Sequence, residues 1–149
     1  MSDVPFRPAP LMRALVDAGV KFVVIGGLAV TVHGHERFTA DLDLVPEPDT
    51  ENLRRLAATL AELVEDRESH ASPTLDAPHC VVETRFGRAH VIRSVKGLPP
   101  YPDLERDAIQ VEFAEEVSVA VCGKEDLIEM KRASGRPRDA LDVAYLTEP

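Results

Sequence analysis

The 149-residue sequence predicts an α/β or α+β domain built on a mixed β-sheet. Three observations carry that expectation. "KFVVI", Lys21 to Ile25, is a short apolar, β-rich run that ends on a glycine pair, as a buried strand entering a turn does. "DLDLV", Asp41 to Val45, alternates acidic and apolar residues with the period of two that a strand imposes. From about Glu51 to Asp66, Leu53, Leu56, Ala57, Leu60, Leu63 and Val64 form one stripe at helical spacing. The full order is helix, strand, helix, strand, helix, then two hairpins, then helices.

Each element has a local cause. "PAPLMRALVDAG" begins among prolines, carries Leu11, Met12, Leu15 and Val16 at helical spacing and is closed by Gly19. "GGLAVTVHGH" starts with the glycine turn and continues as a short helix. Pro46 and Pro48 break the chain after the second strand, and Asp49 or Thr50 can cap the helix that follows. "RESHASPTLDAPH", Arg67 to His79, is polar, holds two prolines and is expected as an exposed loop. "CVVETRFGRAHVIRSV" has the pattern of a hairpin turning at Phe86–Gly87. "KGLPPYPDLERDA" is a loop leading into a helical turn. "IQVEFAEEVSVAVCG" is a second hairpin, with Glu115 and Glu116 near its turn. The end, "KEDLIEMKRASGRPRDALDVAYL", is helical, interrupted at Gly135 and restarted by Pro137 in first-turn position. There is no repeat and no low-complexity tract.

With 44% hydrophobic residues, the chain can bury a sizeable core as a single domain over 1–149, without a disulfide framework or a structural metal. Cys80 and Cys122 each lie beside an apolar run, have no partner at metal-ligand spacing, and are expected as reduced core residues. No run approaches transmembrane length and the first residues lack the apolar stretch of a signal peptide, so a cytoplasmic location is expected. A net charge of −9 argues against an extended grip on DNA or RNA, which wants a basic surface. The basic residues nevertheless cluster: Lys131, Arg132, Arg136 and Arg138 in one segment, Arg85, Arg88, Arg93 and Lys96 in another. Local basic spots on an acidic chain suit a small phosphorylated ligand, although a solvated charged surface would read the same way.

In an extended "DLDL", Leu42 and Leu44 point one way while Asp41 and Asp43 point the other. Two like charges on one face repel, and a hard divalent cation between them would remove the repulsion. Gly26 and Gly27, between a strand and a helix, would let backbone amides approach a phosphate closely. Taken singly, each signal also fits a plain turn or surface charge. In this order they fit a phosphate-and-metal site, with thirteen residues between the glycines and Asp41.

That spacing, within "GGLAVTVHGHERFTADLDLV", resembles the signature of the polymerase-beta-like nucleotidyltransferase superfamily. The stretch is similar to a small bacterial branch related to abortive-infection and toxin–antitoxin nucleotidyltransferases. "RFGRAHVIRSVKGLPPYPDL" and "VCGKEDLIEMKRASGRPRDALDV" extend the likeness over nearly the whole chain after Lys21. The resemblance implies a small mixed sheet flanked by helices, with the active site at the edge where Asp41 and Asp43 emerge. It implies Mg²⁺ or Mn²⁺ held by Asp41 and Asp43. The reaction it implies moves a nucleoside monophosphate from an NTP to a hydroxyl or similar acceptor. That acceptor would be a small molecule, a protein side chain or an RNA end, and a partner protein fits a toxin–antitoxin setting. Gly26 and Gly27 match the phosphate-cradling glycines. Arg37 and Thr39 match the "R-x-T" before the aspartates, Thr39 as a hydrogen-bonding hold on the strand entry, Arg37 as a partner of a carboxylate or of the nucleotide. Lys131 and Arg136, with Asp139, match a basic helix facing the triphosphate.

One departure stands out. Where the branch is expected to carry a third acid in "G-R-hydrophobic-D-hydrophobic", this chain reads "GRAHVI", with His90 at the acid's position. Imidazole is a poor ligand for Mg²⁺ and a better one for Mn²⁺, and it can serve as a general base near neutral pH. Otherwise Glu83 or Glu112 replaces the acid, or the chain is a nucleotidyltransferase-fold binding module without catalysis. His33 and His35, either side of Gly34, are expected to serve local structure or the acceptor side.

Overall fold

The computed structural model describes residues 4–64 and 75–148. The chain runs α1 (Pro8–Asp17), β1 (Phe22–Ile25), α2 (Gly26–Val32), β2 (Asp41–Pro46) and α3 (Thr50–Leu63). It continues with β3 (His79–Thr84), β4 (Gly87–Ile92), α4 (Tyr101–Arg106), β5 (Ile109–Ala114), β6 (Val117–Val121), α5 (Lys124–Ser134) and α6 (Pro137–Leu146). The strands form one six-stranded sheet in the order β3-β4-β2-β1-β6-β5. The sheet is mixed, as expected: β1/β2, β3/β4 and β5/β6 are antiparallel, while β1/β6 and β2/β4 are parallel.

Burial follows the sequence periods. β1 is buried at every position, matching its unbroken apolar run, and Leu42 and Leu44 of β2 are fully buried while Asp41 and Asp43, alternating with them, are not. Burying each such leucine contributes roughly 1.5–3 kcal/mol, enough to fix the register of the strand. α1 packs on β6 and α3, while α2 packs on β1, β2 and α5. Leu11, Met12 and Leu15 of α1, Leu56 and Leu60 of α3 and Leu127 of α5 join the strands in one core.

Both hairpins form, and the second turns at Glu115–Glu116 as expected, with Glu116 left-handed at φ 62°. The first turns at Arg85–Phe86, one residue before the expected Phe86–Gly87, because Gly87 already pairs with Thr84. Gly135 ends α5 in the left-handed region, and Pro137 opens α6. Two helix boundaries also differ from expectation. α3 begins at Thr50, capped by Asp49, whose side chain accepts from the Asn52 amide, and it stops at Leu63. Val64 leaves the helix to bridge Thr84, and residues 65 and 66 lie outside the described residues. Within α3, Leu53 is only half-buried. The buried place goes instead to Asn52, whose side chain bonds both Lys21 backbone groups and the Glu47 carbonyl. A polar residue that satisfies three backbone groups wins the site over an apolar one, because unmet buried backbone is costlier than a lost apolar contact. Of the loop expected over Arg67 to His79, residues 67–74 lie outside the described residues. Leu75 is buried, against expectation, and its carbonyl accepts from Arg93 at 2.7 Å.

Cys122 is buried and Cys80 half-buried. Burial pushes the Cys122 thiol up to about 12, with Asp126 adding to the shift, so it stays protonated as a core residue would. No helix among the described residues is long and apolar enough to cross a membrane.

Candidate active site

A cleft of about 520 Å³ opens over β2 and β4, between the chain leading into β2 and helices α5 and α6. Asp41 and Asp43 lie in it on one face of β2 with their carboxylates partly accessible, as the alternation predicts. Gly26 and Gly27, the first residues of α2, form the adjoining corner at the end of β1, where Ile25 pairs with Asp43. Gly26 has φ 74°, and a Cβ there would fall against the Asp43 carboxylate, 2.9 Å from its Cβ. Gly27 is less constrained, since its Cβ would meet Arg37 and Thr39 only at 3.5 Å.

β4 runs parallel to β2 with His90 paired to Asp43 and Arg88 to Asp41. His90 thus faces the aspartate side, with Nδ1 3.4 Å from Asp43 Oδ1, while Ala89 and Val91 are buried behind it. His79, on β3, meets His90 edge-on at 5.2 Å. Neither Glu83 nor Glu112 takes the missing acid's place. Glu83 is exposed and accepts from Arg88 at 2.9 Å, and Glu112 sits on β5, three strands from β2, about 14 Å away at the usual strand spacing.

Burial is the largest influence on Asp43. It raises the carboxyl's pKa, and Asp41 adds to the rise, while His90 and Lys131 oppose it. Its Oδ1 is buried without a hydrogen-bond partner. An orphaned carboxylate oxygen beside a second carboxylate is a donor set that fits a hard divalent ion. Among the described residues no group of three His, Cys, Asp or Glu is arranged to hold an ion by itself. Mg²⁺ sites that use one or two carboxylates and complete the shell with substrate phosphates do not need one. By that test Asp41 and Asp43 fit the ion as the protein's share of its shell.

The opposite wall is a buried ion network. Lys131 lines the cleft from α5, but it is only 7% exposed, and its ammonium lies 3.0 Å from Asp139 and 3.2 Å from Asp142. The point charge expected to face a triphosphate is therefore already engaged. Arg132, one residue on, lies outside the cleft beside Glu129. Arg37 pairs with Asp142, so the carboxylate is the partner found for it. Thr39 Oγ1 is buried and makes no hydrogen bond, against the expected hold on the strand entry. Arg136 lines the cleft, donates to Asp139 at 2.8 Å and keeps a side chain 63% exposed. Arg136 and Arg138 are thus the exposed guanidinium groups on this wall. Burial would raise the Asp139 carboxyl, but hydrogen bonds from Arg136, Ser134 and Lys131 outweigh it and hold the pKa well below the usual range.

His33 and His35 serve local structure. A ring nitrogen of His33 lies 2.9 Å from the Cys122 carbonyl, and His35 stacks on Tyr145 beside Asp142. Asp142 and His79 were not legible as site residues. Asp139 and Asp142 share a helix face at i, i+3, and that spacing next to a lysine-bearing helix was the available signal for Asp142. His79 had none, because its place depends on strand pairing.

Residues 11–146 match the family described as "Nucleotidyltransferase of unknown function (DUF6036)". No curated protein matches the chain. Among solved structures it is similar to TM1012 of Thermotoga maritima, assigned to the nucleotidyltransferases, at 16% identity and TM-score 0.61, covering 96% of this chain and 95% of that one. It is also similar to the lincosamide antibiotic adenylyltransferase LnuA, solved with lincomycin, at 13% identity and TM-score 0.64, covering 93% of each chain. An antigenic nucleotidyltransferase-like protein from Paracoccidioides brasiliensis aligns at 15% identity and TM-score 0.54, covering 93% of this chain and 72% of that one. At such identities the likeness is one of fold.

Proposed function

The chain belongs to this nucleotidyltransferase family, and we propose that it transfers a nucleoside monophosphate from an NTP to a hydroxyl or similar acceptor, with Mg²⁺ or Mn²⁺ at Asp41 and Asp43. The observation that carries the reading is the pairing of Asp43 with His90 on adjacent parallel strands, inside the cleft that Gly26 and Arg136 also line. A divalent ion on the two carboxylates would neutralise phosphate charge and lower the pKa of an attacking hydroxyl.

The chain's own residues supply the rest. Gly26, lacking a Cβ, lets the Asp43 carboxylate stand directly against the backbone at the start of α2. Arg136, already oriented by Asp139, offers its remaining N–H groups to the leaving pyrophosphate. Asp43 faces Nδ1 of His90, which favours the tautomer with its proton on that nitrogen and leaves Nε2 to accept one. The acceptor oxygen attacks the α-phosphorus, its proton passes to Nε2, and the bond to the β-phosphate breaks to release pyrophosphate. His90 in this role replaces the proton-accepting function of an acid rather than its metal ligation. The acceptor's class (small molecule, protein side chain or RNA end) and a toxin–antitoxin or phage-defence setting with a partner protein rest on the sequence resemblance alone.

The second reading, a binding module without catalysis, is favoured by His90 itself, since the third acid is gone. Pyrophosphate release separates the two. It is measured over a panel of acceptors with Mg²⁺ and with Mn²⁺, for wild type, Asp43→Asn, His90→Ala and His90→Asp. The enzyme reading expects release by wild type, loss in Asp43→Asn and a fall of about 10²–10⁴ in His90→Ala. His90→Asp should lose activity near neutral pH and shift the profile to acid, whereas a gain with Mg²⁺ would mean that the position lacks a ligand rather than a base. Tight NTP binding with no release from any NTP or acceptor would leave the binding module.

A further inference from the structure

Phe38 is 85% exposed, yet it lines the same cleft as the two aspartates. The residue before it is held, Arg37 being ion-paired to buried Asp142, and the one after it, Thr39, is half-buried. A large apolar ring beside carboxylates and guanidinium groups, on a chain held at Arg37, keeps its face open to a ligand in the cleft. Resting on the nucleotidyltransferase reading, we propose that Phe38 is the platform on which the nucleobase of the NTP stacks.

Charge and reach select this occupant. The cleft combines two carboxylates suited to a metal–polyphosphate with the exposed guanidinium of Arg136, and an aromatic face beside a polyphosphate site suits a nucleotide. Phe38 and Asp41 are three positions apart, so their Cα atoms stand at most about 11 Å apart. That span accommodates the distance from an α-phosphate across the ribose to the base. Stacking on one face, without hydrogen bonds to base edges, gives affinity with little choice among bases, so the site would take purine and pyrimidine NTPs with a preference for the larger ring.

The test uses the whole chain with Mg²⁺, comparing ATP and CTP with inorganic tripolyphosphate, which lacks a base. Phe38→Ala and Phe38→Leu should weaken ATP binding about 5- to 100-fold, CTP less, and leave tripolyphosphate unchanged. The sequence contains no tryptophan, so Phe38→Trp places a sole fluorophore at the lip. That variant should keep ATP affinity, and its emission should be quenched by ATP but not by tripolyphosphate. Unchanged ATP binding in Phe38→Ala overturns the proposal, as does equal loss of ATP and tripolyphosphate. A raised acceptor KM at unchanged ATP affinity also overturns it, by assigning the ring to the acceptor. If wild type binds neither ATP nor tripolyphosphate, the nucleotide reading itself fails and this one with it.

Discussion

At Gly26 the left-handed backbone and the pressure of Asp43 coincide, whereas at Gly27 a Cβ meets only ordinary contacts. The two glycines, equivalent in the sequence, should therefore separate on mutation. Gly26→Ala is expected to cost about 1–2 kcal/mol from backbone conformation alone, with more from displacing the Asp43 side chain, and to weaken Mg–NTP binding. Gly27→Ala should stay within about 1 kcal/mol of wild type and leave binding nearly intact. Chemical denaturation and NTP titration of both variants check this, and equal effects would mean that Asp43 yields to the added methyl. Residue-scale features were legible wherever a local period decides them, as in "DLDL". They were illegible where distant chain decides them: nothing in "VHGHERF" tells that Arg37 meets Asp142, or that Phe38 stays uncovered at a cleft.

The joint between α5 and α6 shows how elements hold the cleft's wall. Asp139 and Asp142, fully or almost fully buried, draw Lys131 from α5 and Arg37 from the chain before β2 to one helix face. Removing one partner of such a network leaves a buried charge, so Asp139→Asn should lose roughly 3 kcal/mol at pH 7. The sign with pH follows from the lowered Asp139 pKa. Its stabilisation is fully present above the unfolded value of 3.8 and is lost as pH falls through the still lower folded value. The gap in Tm between wild type and Asp139→Asn should thus be constant from pH 7 to 5 and narrow in more acid solution. A gap that stays constant down to pH 2 would show that the pairing does not depend on an ionised Asp139. The helices themselves were readable from Gly135, Pro137 and leucine spacing. Their mutual register was not, because a lysine and two aspartates on separate elements also read as a solvated surface.

Across the whole molecule the element types were accessible to sequence periods, but the sheet order was not. β4, a hairpin strand far along the chain, inserts beside β2, and only that parallel pairing sets His90 next to Asp43. Charge follows the same division. The chain carries 26 acidic against 17 basic residues, and many of the basic ones are paired with acids on its own surface. Arg106 is held by Asp103 and Asp107, Arg88 by Glu83 and Asp41, and Arg132 by Glu129. A short polyphosphate needs only the few charges gathered at one cleft, whereas a duplex needs a run of unpaired cations along several phosphates. A labelled 25-bp DNA duplex should therefore bind with Kd weaker than about 10⁻⁴ M at physiological salt, below even ordinary non-specific binding. Mg–NTP binding should survive the same salt, because its charges are partly buried and less screened. Fluorescence anisotropy from 50 to 200 mM salt measures both. Micromolar duplex binding with a steep salt slope would mean that the basic residues act together on a phosphate backbone, contrary to their pairing in the fold.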